Sequence, residues 1–157
     1  MHERITVRLA GPDDARAIGA LVRRGTRRDV LPDQTAAAGA FLLTTMTARA
    51  ERARILEGYR YHVAEADGRV VGVVAMRDDS HLYRLFVSAR FQRRGIARAL
   101  WRKALADCRR RAGTRRVTVN ASACAVPVYR RLGFVATGRA QTKGPGVVTT
   151  PMVYSAD

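Results

Sequence analysis

The chain has 157 residues, of which 47% are hydrophobic, so we expect one globular domain over residues 1–157 rather than two smaller ones. Its 29 basic and 13 acidic residues give a net charge of +16, a field that attracts polyanions. We see neither an apolar run of membrane length nor the apolar segment of a signal peptide. We therefore expect a cytoplasmic protein with no membrane partner.

The two cysteines and three histidines are scattered along the sequence. Cys108 and Cys124 form no close pair and have no metal-ligand spacing, and the histidines are too far apart in sequence to suggest a shared ligand set. The sequence therefore predicts free thiols, no disulfide framework and no metal site.

Alternating apolar residues bounded by turn signals predict strands, at 5–9, 61–65, 69–76, 82–88, 116–120, 134–137 and 147–154. Apolar residues at helical spacing predict helices, one opening at Asp13 and others at 32–46, 48–57, 95–111 and 124–133. The Asp67-Gly68 pair indicates a tight hairpin, so the strands from 61 to 88 should be antiparallel. A crossover helix precedes strand 116–120, which should therefore lie parallel to strand 82–88.

The turn at 92–97, Gln-Arg-Arg-Gly-Ile-Ala, lies between a strand and a helix and is the stretch most suited to binding an anion. The first N–H groups of a helix lack partners within the helix, and its dipole adds partial positive charge there. Gly95 and Ala97 leave room for close approach, and four arginines flank the turn. The pattern indicates a phosphate site, although a tight turn with solvated arginines is an equally simple interpretation.

A second block widens the pattern. Gln92-x-x-Gly95-x-Ala97 resembles the acetyl-CoA signature of the GNAT N-acetyltransferase superfamily, and residues 120–134, with Asn120, Ser122 and Tyr129 in place, resemble its other core segment. By these two ordered blocks the chain is identified as a member of that superfamily, of the small, single-domain bacterial type. The resemblance is good over residues 60–154 and only general before that.

The resemblance implies an α/β (α+β) GNAT fold. Its central sheet would be mixed and mostly antiparallel, with about six or seven strands and helices on both faces. Strands 82–88 and 116–120 would splay apart in a V, and acetyl-CoA would lie in the opening. An extended amide arm needs main-chain partners, and a diphosphate suits a helix start, so the physical reading of the turn agrees.

The resemblance also implies residue roles. The arm of acetyl-CoA would pair with the backbone of the strand, the diphosphate would bind the turn, and Tyr129 would protonate the departing thiolate as a general acid. A backbone N–H near Val87 would polarise the thioester carbonyl. The cofactor-binding residues implied are Leu85, Phe86, Val87, Gln92, Arg93, Arg94, Gly95, Ile96, Ala97, Arg98, Asn120, Ser122 and Tyr129. Two of these have simpler interpretations, Asn120 as a turn residue and Tyr129 as a core residue.

The general base is not evident. Many members of the family carry a glutamate early on the strand before the turn, where this chain has Tyr83. The remaining candidates are Glu65, Asp78, Asp79 and His81, of which His81 is preferred because histidine titrates near neutrality. Deprotonating a lysine-like amine at pH 7 costs about 4.6 kcal/mol and an α-amino group about 1 kcal/mol, so a weak base suits the second kind of acceptor.

The sequence thus predicts an N-acetyltransferase that moves an acetyl group from acetyl-CoA to a primary amine by direct attack in a ternary complex. The acceptor would be a small molecule or a peptide, bound by residues 24–57 and the 139–147 loop. An acyl-CoA sensor without turnover is one alternative. Nucleic acid, as a partner or substrate, is a less favoured one, because aromatic content is low and no reader motif is present. A homodimer is left open.

Overall fold

The computed structural model describes residues 3–156. Its strands are β1 (Ile5–Leu9), β2 (Arg60–Ala66), β3 (Arg69–Arg77), β4 (His81–Val87), β5 (Arg116–Ala121), β6 (Val135–Ala136), β7 (Gln141–Lys143) and β8 (Val147–Ser155). Its α-helices are α1 (Ala15–Asp29), α2 (Ala36–Thr44), α3 (Ala48–Glu57), α4 (Ile96–Ala112) and α5 (Val126–Leu132). Short 3-10 turns lie at Pro12–Asp14, Leu31–Asp33 and Ala89–Phe91.

The strands form a sheet in the order β1-β2-β3-β4-β5-β8-β6, and β7 pairs with β8 beside this path. The pair β4–β5 is parallel, and the other pairs among the described strands are antiparallel. Helix α4 connects the two parallel strands, as a crossover must. This arrangement confirms the predicted mixed, mostly antiparallel sheet.

Helices cover both faces of the sheet, as predicted. On one side, which we call the α4 face, a buried cluster joins the strands to α4 and α5 and includes Leu100, Trp101 and Phe134. On the other side, which we call the α3 face, α1 and α3 pack on a second cluster that includes Ile18 and Val22.

Helix α4 is the longest of the described helices, and a glycine in the left-handed conformation bounds each of its ends. Gly95 precedes the helix with φ +79°, and Gly113 follows it with φ +65°. The stripe Ile96, Leu100, Ala104 and Cys108 is buried, so the predicted apolar face does face the sheet. Because L side chains rarely adopt such φ values, the sequence fixes where this helix starts and stops.

Two local predictions differ from the structure. The helix expected over 32–46 is a 3-10 turn followed by α2, because Thr35 is extended and its Oγ1 accepts a hydrogen bond from Ala38 N–H at 3.1 Å as the N-cap. The loop expected at 139–147 contains β7, which pairs with β8 at Thr142 and Val148. The sheet therefore has eight strands rather than six or seven.

Candidate active site

Strands β4 and β5 separate soon after they meet. Their register contains two pairs, His81 with Thr118 and Leu82 with Val119. Beyond these pairs β4 stays bound to β3 as far as Val87, and β5 stays bound to β8 as far as Ala121. The inner edges of both strands therefore face an opening, which we call the wedge, with backbone groups free to bind a ligand. This is the splay predicted between strands 82–88 and 116–120.

A β-bulge lies where the wedge begins. In the β3–β4 register Leu82 pairs with Met76 and Arg84 with Ala75, which leaves Tyr83 as an extra residue. Tyr83 and Arg84 consequently both lie on the α3 face, whereas Leu82 and Leu85 pack with the α4 face. Bulges redirect side chains near functional sites, and here one sends two consecutive side chains to the same face.

The turn before α4 presents a row of free backbone donors. No backbone hydrogen bond found among residues 3–156 uses the N–H groups of residues 93–98, and the first helical bond runs from Ala99 N–H to Gly95 O at 3.0 Å. A Cβ built on Gly95 meets no heavy atom within 4 Å, so the space above this turn is open. Unpartnered amides at the start of a 17-residue helix are a donor set suited to a diphosphate.

Side chains around this turn have separate roles. Gln92 Nε2 donates to Val87 O at 3.1 Å and so ties the turn to the end of β4. Arg94 stacks on the ring of Phe91, with 4.9 Å between the guanidinium carbon and the ring centroid. Ile96 is buried, so only its backbone can reach a ligand. Arg93 and Arg98 are exposed, and neither forms an ion pair with another described residue.

Tyr129 lies on α5, which follows the end of β5 at the open side of the wedge. It is buried in the cluster against which Leu85 and Val87 pack, and its ring meets Phe134 edge-on at 5.4 Å. Its hydroxyl forms no hydrogen bond with another residue in the described part of the chain. Burial raises the pKa of Tyr129 above its usual value, so the hydroxyl keeps its proton at neutral pH.

The end of β5 carries the other two predicted contacts. Asn120 is exposed and lies opposite Pro151 in the register with β8. Ser122 follows the strand, and its carbonyl accepts hydrogen bonds from the N–H groups of Ala125 and Val126 at 3.0 and 3.1 Å. Ser122 therefore helps to start α5 and so places Tyr129.

The structure does not bring the base candidates to the open part of the wedge. His81 is in the β4–β5 pair at the closed end of the wedge, and its Nδ1 lies 2.7 Å from Thr118 Oγ1. Val87 is six positions further along β4, which is about 20 Å away. Burial, with Arg77 and Lys143 nearby, lowers the pKa of His81 to about 4. Asp78 and Asp79 lie in the turn before β4, and Glu65 pairs with Arg8 near the sheet edge.

A buried polar network on the α3 face escaped the sequence analysis. Glu51 on α3 is fully buried and accepts hydrogen bonds from the Tyr61 hydroxyl and from Arg84 Nε, the latter at 3.2 Å. Arg54 Nη1 lies 3.3 Å from the same carboxylate. Burial and the neighbouring carboxylate raise the pKa of Tyr61, so it remains a donor. The one available signal was Arg84 itself, a charge inside an apolar strand that requires a buried counter-charge.

Two arginines of this network contact the ring of Tyr83. The guanidinium carbons of Arg84 and Arg54 lie 4.6 and 5.0 Å from the centroid of its ring. Both groups also donate to Thr45 O, at 3.1 and 2.6 Å. The bulge, α3 and the end of α2 are thereby held together where the wedge begins.

The segment between α1 and α3 runs across the α3 face of the wedge. Near its start, the Gln34 amide forms two hydrogen bonds with the backbone of Val148 on β8, at 3.0 and 3.2 Å. At its end, Thr45 O binds the arginines that border β4. The segment therefore reaches from the β5–β8 side to the β4 side.

Among residues 3–156, no group of three or more His, Cys, Asp and Glu side chains is placed to hold a metal ion. None of the described helices has the length and apolar character needed to cross a membrane.

Comparison with known proteins gives one clear family. The model of the acetyltransferase (GNAT) domain matches residues 29–156. A search of curated proteins found no significant match. Three similar solved structures illustrate the fold.

A GCN5-related N-acetyltransferase from Rhodopseudomonas palustris has a TM-score of 0.81 at 23% identity, over 99% of this chain and 98% of that one. The PaiA N-acetyltransferase of Thermoplasma acidophilum, solved with coenzyme A, has a TM-score of 0.79 at 13% identity, over 97% of this chain and 99% of that one. YncA of Salmonella typhimurium, described as a putative acetyltransferase and solved with acetyl-CoA, has a TM-score of 0.67 at 23% identity, over 98% of this chain and 95% of that one. With the family model matching most of the sequence, the chain belongs to the GNAT family of acetyltransferases.

Proposed function

We propose that this protein is an N-acetyltransferase that moves the acetyl group of acetyl-CoA to a primary amine by direct attack in a ternary complex. The observation that carries the proposal is the wedge between β4 and β5, with the free amides of residues 93–98 beside it. We treat residues 1–157 as one catalytic domain. PaiA and YncA, which bind coenzyme A and acetyl-CoA, have the same fold.

The residues present fit acetyl-CoA as the cosubstrate. The diphosphate would bind the amides of residues 93–98, with Arg93 and Arg98 adding charge-assisted contacts. The amide-rich arm would pair with the inner edge of β4 at Leu85 and Val87, and Asn120 would bind it from β5. Bound acetyl-CoA supplies a thioester carbonyl carbon, at which the acceptor nitrogen forms a C–N bond as the C–S bond breaks.

Tyr129 protonates the leaving group. Its buried hydroxyl donates a proton to the departing sulfur and regains one from solvent, while the acceptor nitrogen loses one. Burial raises the pKa of this phenol, and it also raises the pKa of a thiol beside it. The difference between the two pKa values, which governs proton transfer from the phenol to the thiolate, therefore changes little. Unpaired N–H groups on the inner edge of β4 hydrogen-bond the carbonyl oxygen as negative charge develops there.

The acceptor approaches from the α3 face, because α4 and the bound diphosphate occupy the other side of the wedge. Its pocket is formed by α1, the segment that runs to α3, and the β7–β8 hairpin. His81 has no part in this chemistry, since it lies at the closed end of the wedge. An acceptor whose amine is largely neutral near pH 7 therefore suits the site best.

An amine panel tests the proposal. The protein is incubated with acetyl-CoA and, in turn, with amino acids, amino-acid amides, polyamines and peptides with a free N-terminus, while coenzyme A release is followed with a thiol reagent. At least one amine should release coenzyme A and yield an equal amount of N-acetyl product by mass spectrometry. The reaction without acceptor gives the background hydrolysis.

A second function, acyl-CoA sensing without turnover, is favoured by one observation: none of the base candidates lies at the open part of the wedge. Acetyl-CoA binding measured by calorimetry, together with no release above background for any amine, would support sensing over catalysis.

A further inference from the structure

The network where the wedge begins contains more positive than negative charge. It has two guanidinium groups, those of Arg54 and Arg84, which we call the arginine pair, and one carboxylate, that of Glu51. The side chains are 14%, 7% and 0% exposed, respectively. Buried charges are normally paired, because removing an ion from water costs several kcal/mol. One positive charge here has no matching carboxylate.

The other groups that face the arginine pair do not remove this excess. Tyr61 and Tyr83 contribute neutral groups, a hydroxyl and a ring. Thr45 O, at the end of α2, brings the negative end of a short helix dipole, about half a charge at most. A third guanidinium, that of Arg23, donates to the neighbouring Met46 O at 2.7 Å and adds positive charge.

Donor capacity also remains in the network. Arg54 Nη1 is buried and lies near Glu51, but it forms no hydrogen bond with any described residue. Its position beside the ring of Tyr83 gives it a favourable cation–π contact without using its N–H groups. Its 3.3 Å contact with Glu51 Oε1 is an ion pair without hydrogen-bond geometry, so part of its donor capacity stays unused.

The arginine pair lies next to the closed end of the wedge, on the α3 face from which the acceptor approaches. Tyr83, whose ring both guanidinium groups contact, is the first residue of β4 after the last β4–β5 pair. The wider approach is basic too: Arg24, Arg27 and Arg28 are exposed on the second half of α1, and the nearby Asp29 is already paired with Arg28 at 2.8 Å. Residues 34–48, which run across this face, contain no charged side chain.

We infer that the acceptor is a primary amine that also carries a carboxylate, which the excess charge of the arginine pair attracts to the α3 face of the wedge. This inference rests on the proposed function. A carboxylate matches both the single unit of charge in excess and the planar donors of a guanidinium. The same positive field disfavours the ammonium form of the acceptor and so favours the neutral, reactive amine without a base.

Matched amines test the inference on the wild-type protein. Glycine is compared with glycinamide and L-leucine with L-leucinamide, with rates expressed per concentration of neutral amine because the amide lowers the pKa of the amine. The carboxylate member should have a kcat/KM at least tenfold higher, and this preference should shrink as salt concentration rises. In the presence of coenzyme A, the same member should raise the Tm more than its amide, which is a readout independent of turnover.

Variants on one helix locate the effect. Arg54→Gln should reduce the preference for the carboxylate at least fivefold, whereas Arg54→Lys should retain most of it because the charge remains. Arg52→Gln is the matched control, since Arg52 is exposed on the same helix and the charge change is the same. If Arg54→Gln does not fold, the comparison of carboxylate and amide acceptors on the wild-type protein still tests whether the acceptor carries a carboxylate.

The possible outcomes separate the two proposals. Release with the amides at or above the rate with the acids overturns the carboxylate inference and leaves acetyl transfer intact. An equal loss of preference in Arg52→Gln overturns the assignment to the arginine pair. No release with any amine, charged or neutral, overturns the proposed function and with it the inference.

Discussion

On the α4 face of the wedge, the groups available to a ligand are backbone amides of one continuous turn, residues 93–98. On the α3 face they are the guanidinium groups of Arg54 and Arg84, held in place by the buried Glu51 of α3 and Tyr61 of β2. The first arrangement is local in sequence and tolerates many side chains. The second depends on contacts up to 33 residues apart and on a charge balance that single substitutions change. Under the two proposals above, this difference would separate binding of a fixed cosubstrate from selection of a particular acceptor.

The largest effect is expected from Glu51→Gln, which tests how far the α3 face depends on one carboxylate. The change leaves the arginine pair buried without a counter-charge, so the free energy of unfolding should fall by about 3 kcal/mol. Urea denaturation measures it. Glu57→Gln, an exposed position on the same helix, should change stability by less than about 0.5 kcal/mol. Equal stability of the two variants would mean that the network is not an ionic one.

Tyr129→Phe tests the chemistry of the α4 face. Removing the buried hydroxyl should lower kcat at least tenfold, and about a hundredfold if proton donation limits the rate. The Kd for acetyl-CoA should stay within twofold, because the ring still packs on Phe134. Calorimetry measures the Kd, and the coenzyme A release assay measures kcat. An unchanged kcat would remove Tyr129 from the mechanism.

A pair of glycine variants tests whether the turn binds through its backbone. Gly95 and Gly113 both have positive φ and open space around a Cβ, at opposite ends of α4. Alanine at either should cost a similar stability of about 1 kcal/mol. Only Gly95→Ala should also raise the Kd for acetyl-CoA, by roughly tenfold. A similar rise in Gly113→Ala would show that the loss comes from the helix as a whole.

The smallest effect concerns pH and the closed end of the wedge. Because the folded-state pKa of His81 is lowered to about 4, the unfolded chain binds a proton below about pH 6.5 that the folded chain does not. Stability should therefore fall as the pH drops from 6.5 towards 4. Burial lowers the pKa of His62 too, so it contributes in the same direction. Urea unfolding at several pH values should show a shallower slope for His81→Asn; an identical slope would contradict the assignment.

Local sequence signals were sufficient for the α4 face. Gly95, Ala97 and the apolar stripe of α4 predicted the turn and helix, and the crossover rule predicted the parallel strand; the resemblance to the GNAT superfamily implied the splay. They were not sufficient for the α3 face. The helix at 48–57 was predicted, but not the full burial of Glu51 on it, because its partner Arg84 lies on a distant strand. The bulge at Tyr83 likewise depends on tertiary contacts. The break before α2 is local, an N-cap at Thr35, but apolar periodicity does not show a cap.

The bulge at Tyr83 has a consequence for changes in chain length. The extra residue determines that Leu85 and Val87 face α4 while Phe86 faces α1. Deleting Tyr83 would restore strict alternation and leave Arg84 as the only side chain between Leu82 and Leu85. Adding a further residue before Tyr83 would also keep Leu85 on the α4 face, but it would turn the Tyr83 ring away from the arginine pair and into the layer that holds Tyr129. This strand should accept many replacements of its amino acids and very few insertions.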